Sequence, residues 1–237
     1  AEHLVIVGDF TTISGVPVQG FAIFPKRVVP PMPVTLSGGA TWRYLVTPTA
    51  ADPSWNQPGF ADGSWPAGPA QLGFGDDDEA TVIGFRPNPA AKYPTTYFRT
   101  TFTARAVPDT LTLNLLADDG AVVYVNGVEV ARDNLPAGTI GYTTRASTGR
   151  SGADEATVRA FAIPPTSVRP GINTIAVEVH QDSGGSSDLS FAASLASTGA
   201  VPMFTTTTAP PTTTSTSTTT TSTTTTTTVP ATTTTTA

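Results

Sequence analysis

Apolar and polar residues alternate along the middle of the chain. Leu111, Leu113 and Leu115 fall on one face of an extended segment, as do Ile175, Val177 and Val179, and Leu189, Phe191 and Leu195. A period of two marks strands with one buried face. It predicts strands over 42–46, 96–102, 110–116, 121–125, 128–132, 157–163, 174–180 and 189–195. No long window carries the 3.6-residue apolar period of a helix. Alternating strands separated by frequent turn signals predict an all-β, antiparallel sandwich over residues 36–197. The stretches 47–56 and 73–94 break the alternation and read as long loops, the variable and functional parts of such a fold.

One hairpin is sharply specified. Asn126-Gly127 lies between two valine-rich runs, and both residues tolerate the positive φ that two-residue hairpin turns require. A turn there would pair Val125 with Val128 and Val123 with Val130, giving one apolar face. Just before it, Asp118-Asp119-Gly120 reads as a second turn that carries two adjacent carboxylates.

The flanks differ from the middle. Residues 1–33 hold two short apolar runs, Leu4-Val-Ile-Val7 and Phe21-Ala-Ile-Phe24, and end in the stiff linker Pro30-Pro31-Met32-Pro33. The chain enters a strand pattern at once, as a mature form or fragment of a longer secreted protein would. Residues 198–237 form a tail of threonine with some serine and proline, and no charged residue follows Asp188. Such a segment buries too little apolar surface to offset its ordering entropy, so it is expected to be disordered or extended. Serine/threonine runs with proline are the composition of O-glycosylated stalks, and Thr206, Thr213, Thr219, Thr225 and Thr233 are candidate glycan carriers along it. An unmodified flexible linker is the other reading.

Composition narrows the function. The 237 residues carry a formal net charge of −6, with a sequence pI near 4.7. That argues against a nucleic-acid partner, which would want a basic face. No stretch of about 18 apolar residues offers a membrane span. Cysteine is absent, so there is no thiol nucleophile. There is no Gly-x-Ser-x-Gly elbow either, and His3 and His180 are the only imidazoles. The chain is expected to be non-catalytic.

Several blocks carry family resemblances. Gly8-Asp9-Phe10-Thr-Thr-Ile-Ser-Gly15 resembles one repeat of a bacterial β-propeller family. Four further blocks run in order: Trp55 through Trp65 to Asp76, Tyr97-Phe98-Arg99-Thr-Thr-Phe102, the Asp-Asp-Gly/Asn-Gly hairpin, and Pro170 through Gln181 with Ser186 to Phe191. Together they resemble an accessory module of large secreted bacterial proteins with a galactose-binding-domain-like jelly roll. That resemblance implies a jelly-roll sandwich and no single ligand. The Asp-Asp-Gly hairpin is also similar to lectin modules of the anthrax-protective-antigen type. There, two consecutive aspartates hold a calcium ion that grips sugar hydroxyls, which would assign Asp118 and Asp119 that role.

Candidate chemistry follows. Calcium takes six to eight oxygens, and Asp118, Asp119 and Asn126 are a candidate metal set, against plain turn use of the same residues. The run Asp76-Asp77-Asp78-Glu79 is a second acidic cluster, either solvated or cation-binding. Trp55, Trp65 and Tyr93 are candidate rings for stacking on sugars, and core packing is the competing account of the tryptophans. Glu178 and His180 share a strand face, and with Asp182 and Asp188 could form a metal or acid–base cluster or a structural hydrogen-bond group. Leu195-Ala-Ser-Thr198-Gly199 resembles a sortase pentapeptide and reads as the end of the last strand.

The expected function is a secreted or cell-surface module for adhesion or glycan binding, partnered by a glycan or surface polymer and displayed on an O-glycosylated stalk. The alternative is a structural subunit of an extracellular filament or surface layer, self-assembling through its N-terminal strands.

Overall fold

The computed structural model describes residues 3–9, 11–13, 16–17, 21–25, 34–85 and 88–198. The chain divides into two units: described residues up to 25 belong to one, and 34–198 to the other. In the first, β1 (His3–Val7) pairs antiparallel with β4 (Phe21–Pro25), Val5 opposite Ile23. The shorter β2 (Thr12–Ile13) pairs with β3 (Val16–Pro17). The linker prolines and parts of the propeller-like block lie outside the described residues.

The second unit is a two-sheet sandwich. Its strands are β5 (Thr35–Leu36), β6 (Thr41–Val46), β7 (Ala67–Pro69), β8 (Leu72–Phe74), β9 (Thr81–Val82), β10 (Thr95–Ala104), β11 (Thr110–Asp118), β12 (Gly120–Val125), β13 (Val128–Asp133), β14 (Arg159–Ile163), β15 (Gly171–His180) and β16 (Leu189–Thr198). Sheet I runs β13-β12-β15-β10-β6-β7 and sheet II runs β14-β11-β16-β8-β9, with β5 also on β16. Every pairing is antiparallel except β8 with β9. From β10 to β12 and again from β13 to β16 the chain steps between sheets at each connection, so apart from the β12–β13 hairpin these strands pair with partners distant in sequence.

The alternation decides which faces meet. Leu111, Leu113, Leu115 and Ala117 from β11 interleave with Leu189, Phe191, Ala193 and Leu195 from β16 and with Ile175, Val177 and Val179 from β15. Phe191 sits at the centre, stacked on Phe98 at 4.2 Å between centroids and edge-on to Trp42 at 4.9 Å. Burying each such side chain stabilises the sandwich by about 1.5–3 kcal/mol.

The hairpin departs from its expected register. Asn126 and Gly127 both take positive φ, 52° and 83°, as the turn demands. Val125 does face Val128, but Val123 faces Ala131, because a bulge between Val123 and Tyr124 inserts a residue into β13. The expected four-valine face is therefore split: Val123 and Val125 are buried, Val130 is partly buried, and Val128 is 60% exposed. Asp118-Asp119-Gly120 is not a hairpin turn. Asp119 is the single residue by which the chain crosses from sheet II to sheet I. The short strands β5, β7, β8 and β9 were not expected; they are too brief to show a period.

Candidate functional site

The register places the long connections at one end of the sandwich. Val46 ends β6 opposite Thr96, and Thr95 starts β10 opposite His180. Gly120 starts β12 opposite His180, Asp118 lies opposite Ser190, and Phe74 lies opposite Leu189. Loops 47–66, 75–80, 83–94, 134–158 and 181–188 therefore all leave from that end. The opposite end carries the two-residue turn and the shorter links 105–109 and 164–170.

Loop 47–66 turns back over the outer face of sheet I and makes a second core there. Trp55 and Trp65, 7% and 8% exposed, pack with Tyr97 and Ala176, flanked by Phe60, Tyr124 and Tyr142. Trp55 meets the edges of Tyr97 and Tyr124, and Phe60 meets Trp65. Buried Arg99 clamps the loop: its guanidinium pairs with Asp62 at 2.9 Å, donates to the carbonyls of Trp55 and Gln57, and stacks over Phe60. The two tryptophans are thus occupied in packing and present no open ring face to a sugar.

Glu178 and His180 lie on that same outer face and serve the packing. Glu178 accepts from the Tyr124 hydroxyl at 2.6 Å; burial first, and this hydrogen bond second, push the phenol pKa up. His180 Nδ1 lies 2.9 Å from the Thr144 carbonyl, which can only accept, so Nδ1 carries the proton and ties loop 134–158 to β15. Asp188 belongs to the outer face of sheet II, away from these two. The cluster of Glu178, His180, Asp182 and Asp188 is not assembled.

The calcium set of Asp118, Asp119 and Asn126 is not assembled either. Asn126 lies at the far end of β12, about 20 Å from Asp119 at the strand's rise per residue. Its amide is spent on Ser167 O, Asn173 Oδ1 and the Thr174 N–H. Asp119 is buried, and its oxygens accept the backbone N–H groups of Arg150 and Asp182, both at 2.7 Å. Burial pushes its pKa up against the pull of those two donors.

Asp118 differs from its neighbour. It is 1% exposed, and neither carboxylate oxygen accepts from an N–H donor or a hydroxyl; its side-chain hydrogen bond is with the neighbouring Asp119 carboxyl. Burial first, then the charges of Asp119 and Asp188, push its pKa up to about 8. Paired residues of antiparallel strands point to the same face, so Asp118 points with Ser190 out of sheet II. The Ser190 hydroxyl donates to Asp76 Oδ2 at 3.0 Å and accepts from Gln71 Nε2, which also donates to Asp78. Asp76, Glu155 and Asp188 each bring a carboxylate oxygen within 4.8 Å of the others, and Asp76, Asp78 and Glu79 do the same. Among the described residues no basic side chain forms an ion pair with Asp76, Asp118, Glu155 or Asp188. Arg150 is committed to Asp133 and the Ala117 carbonyl. Asp76 and Glu155 both have raised pKa values, from burial and from the charge of Asp188, with Asp78 and Glu79 adding to the rise at Asp76 and Asp76 adding to that at Glu155. Glu155 carries no signal in the sequence, since nothing in loop 134–158 sets it apart from its neighbour Asp154.

Beside this cluster lies a shallow, open depression with a cavity volume of only about 10 Å³, lined by Val46, Phe74, Phe85, Lys92, Tyr93 and Gln181 among others. Tyr93 is half-buried and Phe85 is 42% exposed. Lys92 is buried; it donates to the Pro89 and Ser186 carbonyls, pinning loop 83–94 to loop 181–188, and lies 5.2 Å from the Phe85 ring. Phe74 is two residues before Asp76, and Leu189, also in the cleft wall, follows Asp188, so cleft and cluster adjoin. Tyr93 is the one candidate ring placed at an opening. Thr206, Thr213, Thr219, Thr225 and Thr233 lie outside the described residues. Among the described residues no helix is long and apolar enough to cross a membrane.

No protein-family model and no curated protein matches this chain. Solved structures align with it over part of their length. A glycosyl hydrolase family 2 member from Bacteroides cellulosilyticus DSM 14838 is 16% identical, with 70% of this chain covering 21% of that one at a TM-score of 0.44. A β-glucuronidase from Ruminococcus gnavus in complex with D-glucaro 1,5-lactone is 13% identical over 73% of this chain and 31% of its own, at 0.41. A β-glycosidase from Bacteroides vulgatus is 14% identical over 68% and 20%, at 0.39. The chain spans less than a third of each of these proteins.

Proposed function

We propose that the sandwich is a non-catalytic glycan-binding module of a secreted or cell-surface protein, carried on the threonine-rich tail as an O-glycosylated stalk. The observation that supports it is the gathering of the long loops at one end, around a cleft edged by Tyr93 and Phe85 and flanked by carboxylates. A rigid two-sheet frame presenting loops at one end is a common design for binding. An aromatic edge beside oxygen acceptors suits a pyranose, whose face is apolar and whose rim is hydroxylated. The test is binding of the full chain to a glycan array, followed by affinity measurement for the best ligand. Tyr93→Ala is expected to weaken binding about tenfold, equivalent to about 1.4 kcal/mol. Unchanged binding in Tyr93→Ala, or no glycan bound at all, contradicts the reading.

A second reading rests on a different observation. In the first unit, β1 and β4 pair only with each other among the described residues. A two-stranded ribbon alone is marginal in water, and its free edges suit strand addition by another chain. This supports a structural subunit that self-assembles into a filament or surface layer. Removal of residues 1–33 is then expected to abolish concentration-dependent oligomers in analytical ultracentrifugation.

A further inference from the structure

We infer that the depression at the loop end is a subsite for one uncharged hydroxyl group of the glycan, and that Gln181 is the residue that selects it. This rests on the glycan-binding reading and narrows it to ligands that present a free hydroxyl at one position. Ile175, Val177 and Val179 face the core, and by alternation Gln181 continues that row just past the end of β15. Phe74 and Leu189 of sheet II line the same depression. Gln181 is 1% exposed and held from three sides. Its backbone N–H donates to the Pro94 carbonyl, and its own carbonyl accepts from the Ala146 N–H. Its side-chain Nε2 donates to the Asp188 carbonyl at 3.0 Å. A carbonyl can only accept, so the amide nitrogen must sit there and Oε1 is the other end of the group. That Oε1 is enclosed and has no hydrogen-bond partner among the described residues. Buried polar atoms are nearly always bonded. Gln181 is therefore an acceptor fixed in place before a ligand arrives, with its side-chain ordering already complete.

Size and charge decide which group suits it. A cavity of about 10 Å³ is about one water-sized sphere. A carboxylate or sulfate has no hydrogen to donate to Oε1. An ammonium has, but it would meet the buried Lys92 ammonium in the same lining, and none of the lining residues is acidic. An acetamido N–H brings acetyl carbons for which there is no room. A hydroxyl fits on every count: it donates to Oε1 and still accepts. Lys92 spends two of its three N–H donors on the Pro89 and Ser186 carbonyls and keeps one for that oxygen. The more exposed Phe85 and Tyr93 form the rim, where the sugar ring bearing the hydroxyl would rest.

The experiment is isothermal titration of the best glycan-array ligand, with its monodeoxy and mono-O-methyl analogues, into the full chain and into Gln181→Met. For wild type, one deoxy analogue is expected to bind at least about tenfold more weakly than the parent, and methylation of the same oxygen to be no better tolerated. Gln181→Met keeps the volume and removes the acceptor. It should bind the parent about tenfold more weakly than wild type does, yet bind the parent and that deoxy analogue equally. A Gln181 that only holds the loops together would weaken both ligands alike and leave the deoxy penalty in place. Indifference of wild type to every single deoxygenation, tolerance of methylation at the sensitive position, or a deoxy penalty that persists in Gln181→Met overturns the subsite. The wild-type scan decides the matter even where Gln181→Met does not fold. Glycan binding that is lost in Tyr93→Ala but senses no single hydroxyl removes this subsite alone, whereas no glycan bound at all removes the module reading and the subsite with it.

Discussion

Asp118 is the residue on which most of the chemistry turns. Burial, with the charges of Asp119 and Asp188, pushes its pKa up to about 8 from the ordinary 3.8. The folded state then holds a proton that the unfolded chain releases, so stability falls as pH rises from about 4 toward about 8. Melting temperatures should show this slope, and Asp118→Asn should flatten it and melt higher than wild type at pH 8. A slope unchanged in the variant would mean that Asp118 is not the group responsible. Trp55 makes the opposite kind of claim. Its ring fills the second core, so Trp55→Ala should cost about 3–5 kcal/mol in denaturant unfolding. Trp55→Phe should leave ligand affinity as it was, since the ring meets no ligand.

At the scale of elements, the turn after β12 is the most exacting. Gly127 has φ of 83°, and a methyl there would lie within 2.5 Å of the Gln57 amide. Gly127→Ala is expected to destabilise by about 1 kcal/mol or more, read as a lower denaturation midpoint with an unchanged slope. This turn was legible in two letters of sequence, because Asn-Gly encodes its own backbone. The eight longer strands were legible for a related reason, since each sets its inward apolar residues at every second position, even in β12 and β15, whose other faces are covered as well. The bulge in β13 was not, because it depends on how β12 meets its partner. Likewise Asp118-Asp119-Gly120 has the composition of a turn, and only the separation of β11 and β12 into different sheets makes it a crossing. The site was half legible. Asp118, Asp76 and Asp188 stood out as acidic residues, but their grouping follows from strand register and loop path, neither of which leaves a local mark. Asn126 was misplaced by the same blindness, being near Asp119 in sequence and a full strand length away in space.

For the whole molecule, the account separates a binding end from its means of display. If the tail is an O-glycosylated stalk, protein from its native source should exceed the bare polypeptide mass of 24.3 kDa, with the excess confined to peptides from 198–237. A mass equal to the bare chain would refute the stalk and leave the sandwich untouched. The central claim is that the loop end binds a glycan. It is tested most directly by titrating the best glycan-array ligand into the full chain and into Tyr93→Ala, side by side. The account predicts a saturable isotherm for wild type and about tenfold weaker binding for the variant; equal isotherms, or no ligand on the array, would contradict it.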